Sequence, residues 1–276
     1  MSLPHAPTTK TQIIAQWATW TSAVLVLLFL LAPILAIVPL SFSSGNFLTY
    51  PLPGYSLRWY EELLTSEKWI PALRNSMIIG VSSTILSTAL GTLAAMGLNR
   101  AQFAFKPLVM GLLLSPMIVP MVITAIGVYF FFAPLGLTNS YTGLILAHTA
   151  LAAPFVVITV SATLAHFDGN MSRAAASLGA SPTLAFFRVV LPLIMPGVFS
   201  GALFAFATSF DEVVVALMIA GPEQRTLPRE MFSGIRESIN PTITAVATVL
   251  ICTSILLLSC LEMLRRRSER MTTGEG

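Results

Sequence analysis

Two adjacent carboxylates, Asp211 and Glu212, interrupt a stretch that is otherwise apolar or small, "MPGVFSGALFAFATSFDEVVVALMIAG". A carboxylate at the centre of a bilayer costs about 3 kcal/mol on insertion scales. It is retained where it meets water, a hydrogen-bond donor or a cation. A helix starting near residue 193 would carry Asp211 about 27 Å along its axis, into the outer half of a membrane. Adjacent helical residues point about 100° apart. One acid then faces a path through the membrane while its neighbour pairs with another helix. Fixed negative charge lowers the barrier for an entering cation, so a di- or polycation suits this pair. The alternative is a purely structural role, as an interfacial acid pair or one held by an arginine of a partner.

Other chemistry is not visible. There is no GxxxxGK[ST] phosphate loop, no HExxH and no CxxC. Cys252 and Cys260 sit about 12 Å apart along one helix, too far for a disulfide. His148 stands alone among apolar residues and reads as a helix-packing polar group. No catalytic residue, metal site or cofactor is expected on this chain. The net charge of +3 comes from residues flanking apolar stretches, so nucleic acid is not an expected partner.

The elements that position the acids follow from composition. Of 276 residues, 55% are hydrophobic and 10% charged, with mean hydropathy +0.81. A soluble domain carries about 25% charged residues. No Asp, Glu, Lys or Arg occurs over 75–98, 107–167, 189–210 or 241–261. Such runs predict membrane spans, and spans of this kind are helical because lipid offers the backbone no hydrogen bonds. Six are expected, at 18–41, 73–97, 107–132, 143–165, 193–219 and 241–263, with the turn residues of 133–143 dividing the third from the fourth. The fold class is an all-α membrane protein. Its parts are an N-terminal segment 1–17, a six-helix transmembrane domain 18–264 with a loop at 166–192, and a tail 265–276.

Charge sets the orientation. With both termini inside, the inner segments hold Lys10, Arg100, Lys106, Arg173, Arg188, Arg265, Arg266, Arg267 and Arg270. The outer segments hold Arg58, Lys68, Arg74, Arg225, Arg229 and Arg236. The excess, anchored by "RRRSER" after the last span, predicts cytoplasmic termini. The 166–192 loop is then cytoplasmic.

That loop contains "SRAAASLGASPTLAFFRVVLP", 172–192. Ser172 is expected to cap a short helix, Gly179 to stop it in a left-handed conformation, and Ser181 with Pro182 to begin the next helix. Pro192 should end or kink that helix at the membrane entry. The product is helix, corner, helix, either docking a partner or simply joining two spans along the surface.

The segment resembles the EAA loop of binding-protein-dependent ABC importer permeases. Ala174 and Ala175 match its alanines, Gly179 its glycine, and Val189, Leu191 and Pro192 its tail; Arg173 stands where the family usually has Glu. The stretch 75–103 resembles the start of the family's core, and 209–248 resembles spermidine/putrescine-type permease subunits. The resemblance spans roughly residues 70–265. It implies the type I ABC importer permease fold in a bacterial cytoplasmic membrane. It implies a second permease subunit in a heterodimer, two ATPase subunits carrying ATP and Mg, an external solute-binding protein, and surrounding lipid. Arg173, Ala174, Ala175, Gly179, Ala180, Ser181 and Pro182 would form the coupling contact with the ATPase. Polyamines are the expected substrate, with opines, amino-acid derivatives or another small solute as alternatives. A secondary transporter or channel would also need spans and acids, but not the coupling pattern.

Pro116, Pro120, Pro154 and Pro196 are expected to kink helices, and Gly111, Gly127, Gly197 and Gly201 to allow close approach. Residues 57–64 read as an amphipathic surface helix, with Trp59, Tyr60 and Trp69 as interface anchors.

Overall fold

The computed structural model describes residues 10–100, 103–165, 167–237 and 240–273. The first nine residues of the expected N-terminal segment lie outside them, as do the side chains of Lys10, Arg100, Arg265, Arg266, Arg267 and Arg270. Among the described residues the secondary structure is helical, apart from one isolated bridge between Ser43 and Tyr55. In chain order the helices are α1 (Lys10–Leu40), α2 (Arg58–Thr65), α3 (Trp69–Arg100), α4 (Lys106–Ile118), α5 (Met121–Phe132) and α6 (Tyr141–Ala165). Then come α7 (Gly169–Ser177), α8 (Pro182–Ala185), a π-helical turn (Phe186–Val190), α9 (Leu191–Phe210), α10 (Val214–Ile219), α11 (Leu227–Glu237) and α12 (Thr242–Thr273).

Five stretches are long and apolar enough to cross a membrane: Ile14–Leu40, Trp69–Asn99, Tyr141–Ala165, Pro182–Phe210 and Thr242–Cys260. The sixth is α4 with α5, bent by 108° at their junction. A single kinked span was expected there. Val119 is extended (φ −70°, ψ 133°) because it precedes Pro120, whose ring disfavours a helical neighbour. Pro116 adds a second missing donor in the turn before. The helix therefore breaks rather than kinks.

Contacts divide the chain into two compact units. The first comprises residues 1–63 and 239–249. Within it Trp59 is buried and donates from Nε1 to the Ser43 carbonyl at 2.7 Å, and the Tyr60 and Ser41 hydroxyls meet at 2.7 Å. These aromatics are fastened to the chain rather than serving as free interface anchors.

The second unit comprises residues 64–238 and 250–276. Its centre is α3, α6 and α9. Lipid supplies no hydrophobic drive between helices, so close approach of small residues does the packing. Val156 of α6 lies between two glycines. A Cβ on Gly91 of α3 would stand 2.7 Å from the Val156 Cβ, and one on Gly201 of α9 would stand 2.9 Å from its Cα. Gly197 approaches Thr163 in the same manner, so the Gly197–Gly201 pair is the α6–α9 seam. Gly111 and Gly127 face open space instead. One buried cluster joins Ala95, Ala152, Val156, Val160, Ile194 and Ala205; another joins α3, α5, α6 and α10 through Ile79, Ala125, Leu144, Leu151, Val215 and Ile219.

Candidate functional site: a broken helix end and a surface corner

The fifth span ends nine residues earlier than expected, at 210 rather than 219. α9 stops at Phe210, and Asp211 is its C-cap (φ −93°, ψ −1°), donating to the Ala207 carbonyl at 3.1 Å. The apolar run Val213–Ala216 reads as more of the same helix, but Glu212 intervenes. Its Oε1 accepts the Val215 N–H at 2.7 Å and its Oε2 accepts the Ala216 N–H at 3.0 Å. Those donors would otherwise bond carbonyls one turn back. The side chain thus ends one helix and caps the next, which satisfies the free N–H groups at the start of α10. The two acids therefore diverge. Asp211 is exposed, while Glu212 is 5% exposed.

The Glu212 carboxylate has one further neighbour. His148 of α6, fully buried, places Nε2 3.6 Å from Oε2. Its Nδ1 lies 2.8 Å from the Ser209 hydroxyl, which lies 2.8 Å from the Ser83 hydroxyl on α3. Four polar side chains thus run through the packed centre of the unit. Sequence reading isolated His148 because Glu212 is remote from it in the chain; no local pattern marks a contact between helices.

Beyond the break, the chain is tied to the N-terminal end of α3. Asn75 Nδ2 donates to the carbonyls of Glu223 and Arg225 at 2.8 and 2.9 Å, and Tyr141 donates to Asn75 Oδ1 at 2.7 Å. The Leu227 N–H donates to the Ser76 hydroxyl at 2.7 Å. Arg229 holds the Ala220 and Gly221 carbonyls at 2.8 and 2.9 Å. Burial and then the neighbouring Arg225 push the Arg229 guanidinium down from the ordinary arginine range, against the pull of Glu230.

The corner is built locally. α7 begins one turn earlier than expected. Asp168, not Ser172, is its N-cap and accepts the Asn170 N–H at 2.9 Å; Ser172 lies within the helix. Aspartate is among the strongest capping residues, and it precedes Ser172 on the same segment. The C-terminal end is a Schellman motif, with Ala180 N–H on the Ala175 carbonyl and Gly179 N–H on the Ala176 carbonyl, both at 3.0 Å. Gly179 has φ +82°, the left-handed conformation expected of it. Ser181 caps α8, accepting the Leu184 N–H at 3.3 Å, and Pro182 takes the first turn. Arg173, Ala174, Ser181 and Pro182 are exposed; Ala175 and Ala180 are half-buried. Leu178 at the corner is 89% exposed.

Pro192 does not end the second helix. The Leu191 N–H reaches back five residues to the Phe186 carbonyl, and this widened turn accommodates the proline that follows. Residues from Pro182 to Phe210 form one helical run, with the corner at one end and the acids at the other.

The sequence profile of a family described as the inner membrane component of binding-protein-dependent transport systems matches residues 87–273. The spermidine/putrescine transport system permease protein PotC of Escherichia coli K12 is 32% identical over 247 residues, covering 90% of this chain and 93% of PotC. The putrescine transport system permease protein PotI of the same organism is 34% identical over 241 residues, covering 84% and 85%. Among solved structures, a chain of a bacterial ABC transporter that imports the acidic polysaccharide alginate superposes with TM-score 0.77 at 15% identity, covering 95% of this chain and 99% of that one. A chain of an amino acid ABC transporter superposes with TM-score 0.56, covering 76% and 98%. The architecture is the type I importer permease fold. This chain belongs to the inner membrane components of binding-protein-dependent transport systems.

Proposed function

We propose that the chain is one membrane subunit of an ATP-driven importer of spermidine, putrescine or related cationic amines. The observation that carries this reading is Asp211, exposed at the break between α9 and α10 in a chain similar over most of its length to two polyamine permeases. A carboxylate at the end of a membrane helix offers a moving ammonium group a counter-charge where water is scarce. Glu212 shares the position in sequence, but two backbone N–H groups already occupy its oxygens.

In this reading both termini are cytoplasmic and the chain pairs with a second permease subunit. Two ATPase subunits carry ATP and Mg, and a solute-binding protein delivers the amine from outside. Arg173, Ala174, Ala175, Gly179, Ala180, Ser181 and Pro182 form the surface that docks in an ATPase. The exposed Leu178, between the two short helices, supplies an apolar tip for that contact.

The test is uptake of radiolabelled spermidine and putrescine by cells lacking their own polyamine importers and expressing this chain with its co-encoded partners. Saturable, ATP-dependent uptake is expected, competed by the other polyamine. Absence of amine uptake, with ATP hydrolysis in the purified complex stimulated by a neutral or anionic solute instead, overturns the substrate assignment.

A further inference from the structure

We infer that Glu212 and His148 are positioning residues that fold the chain so that Asp211 faces the amine, rather than contacts of the amine themselves. This rests on the reading of Asp211 as the substrate-facing acid.

The geometry points there in three steps. First, Glu212 is unavailable to a moving cation. It is 5% exposed, and its two oxygens each accept a backbone N–H of α10. Second, its location is fixed from behind. Where Glu212 is ionised it only accepts, and the ring nitrogen facing it, His148 Nε2, is then the one that carries the proton. With Nε2 protonated in a neutral ring, Nδ1 is an acceptor for the Ser209 hydroxyl at 2.8 Å, and Ser209 lies 2.8 Å from the Ser83 hydroxyl, which also reaches the Ile79 carbonyl at 2.7 Å. The approach of Nε2 to Glu212, at 3.6 Å, is longer than a hydrogen bond and is an electrostatic contact. Third, the cap decides the backbone. Glutamine at 212 keeps one acceptor oxygen and loses the other, so one of the Val215 and Ala216 N–H groups loses its partner and recovers one most simply by continuing α9 as one helix. Asp211 would then sit in a helix interior and no longer at a C-cap, with a different side-chain direction.

Two substitutions of the ring separate the contacts. Asparagine at 148 mimics Nδ1 and keeps a partner for Ser209, but leaves nothing facing Glu212. Glutamine mimics Nε2 and keeps a donor towards Glu212.

The experiment is a mutant cycle in the full complex, assayed for spermidine uptake into reconstituted proteoliposomes with ATP inside and the solute-binding protein outside, with assembled protein quantified. Asp211→Asn alone is expected to raise apparent KM about tenfold, the scale for one lost close charge contact. Glu212→Gln and His148→Asn are expected to raise it about fivefold with kcat changed less than about twofold, and His148→Gln to stay near the unsubstituted value. In the Asp211→Asn background, Glu212→Gln and His148→Asn should add less than about twofold, because there is no longer an acid to aim. Equal factors in both backgrounds overturn the inference and leave Asp211 as the amine contact. So does His148→Asn matching the unsubstituted protein. An unchanged KM in Asp211→Asn removes the reading of Asp211 and the inference with it. If Glu212→Gln fails to assemble, the two His148 variants decide the outcome alone. A second readout needs no transport. In a background with Cys252 and Cys260 replaced by serine, Asp211→Cys should label with a cationic thiol reagent, and His148→Asn should slow that labelling several-fold; unchanged labelling overturns the inference.

Discussion

The corner at residues 178–182 and the break at 211–213 are both interruptions of helix, at opposite ends of one helical run, and they are built in different ways. The corner is made from neighbours in sequence: a Schellman pair over Ala175–Ala180, a glycine at φ +82° and a serine cap. The break adds distance to a local cap: Glu212 accepts N–H groups three and four residues on, and its carboxylate is faced at 3.6 Å by a histidine on another helix, backed by serines on two more. A local corner survives changes elsewhere in the molecule. A tertiary break depends on the packing of α3, α6 and α9 staying as it is.

The largest effect is expected from breaking that packing. Gly201→Leu forces a side chain into Thr159 and Val156 of α6, where a Cβ alone would already stand 2.6 Å from the Thr159 hydroxyl. Overpacking of this kind costs roughly 3 kcal/mol. We expect assembled protein in detergent to fall several-fold, with what survives losing amine uptake; a normal size-exclusion profile would contradict the close seam.

Next is Gly179→Pro. Proline fixes φ near −65° and removes the N–H that now bonds Ala176, at a local cost of about 3 kcal/mol. Because the corner is local, the protein should reach the membrane in normal amount. Uptake should nevertheless drop by more than tenfold, uncoupled from binding-protein-stimulated ATP hydrolysis. Normal coupled uptake would show that the corner geometry is dispensable.

Asp211→Asn sharpens the other side. If the exposed acid meets the cargo, the rise in KM should be about tenfold for the triamine and smaller for the diamine, because more charge is compensated. Equal losses for both, with lower detergent stability, would give Asp211 a structural role. The smallest effect is expected for Arg173→Glu, which exchanges an exposed side chain on α7; uptake should stay within about twofold. A larger loss would reveal an acidic surface opposite it on the ATPase.

The same contrast explains what the sequence conveyed. Gly179, Ser181 and Pro182 were legible because capping and left-handed turns are decided by a residue and its immediate neighbours. The positions of the spans were legible because lipid admits only long uncharged helices. Ser172 was misread as a cap because the better acceptor, Asp168, lies just upstream. The bend at Val119–Pro120 was legible as a site of distortion but not in its size. The end of α9 was misplaced because Val213–Ala216 is apolar and continues the pattern of the span, while the interruption is caused by where the Glu212 side chain turns. His148 was legible as a helix-packing polar group, but its partners were not. Its partner is on another helix, and single-sequence reading has no access to register between helices.

The π-helical turn gives the corner and the break a common mechanics. It lets the chain pass Pro192 without stopping, so the 29 residues from Pro182 to Phe210 form one continuous helical shaft, whose movement as a unit would couple its two ends. At about 1.5 Å per residue the shaft is roughly 40 Å long. Each degree of tilt about the corner displaces the acid end by about 0.7 Å, and each degree of roll about the shaft's axis is delivered there undiminished. Gly197 and Gly201, at mid-length against α6, are the bearing on which such a shaft would pivot.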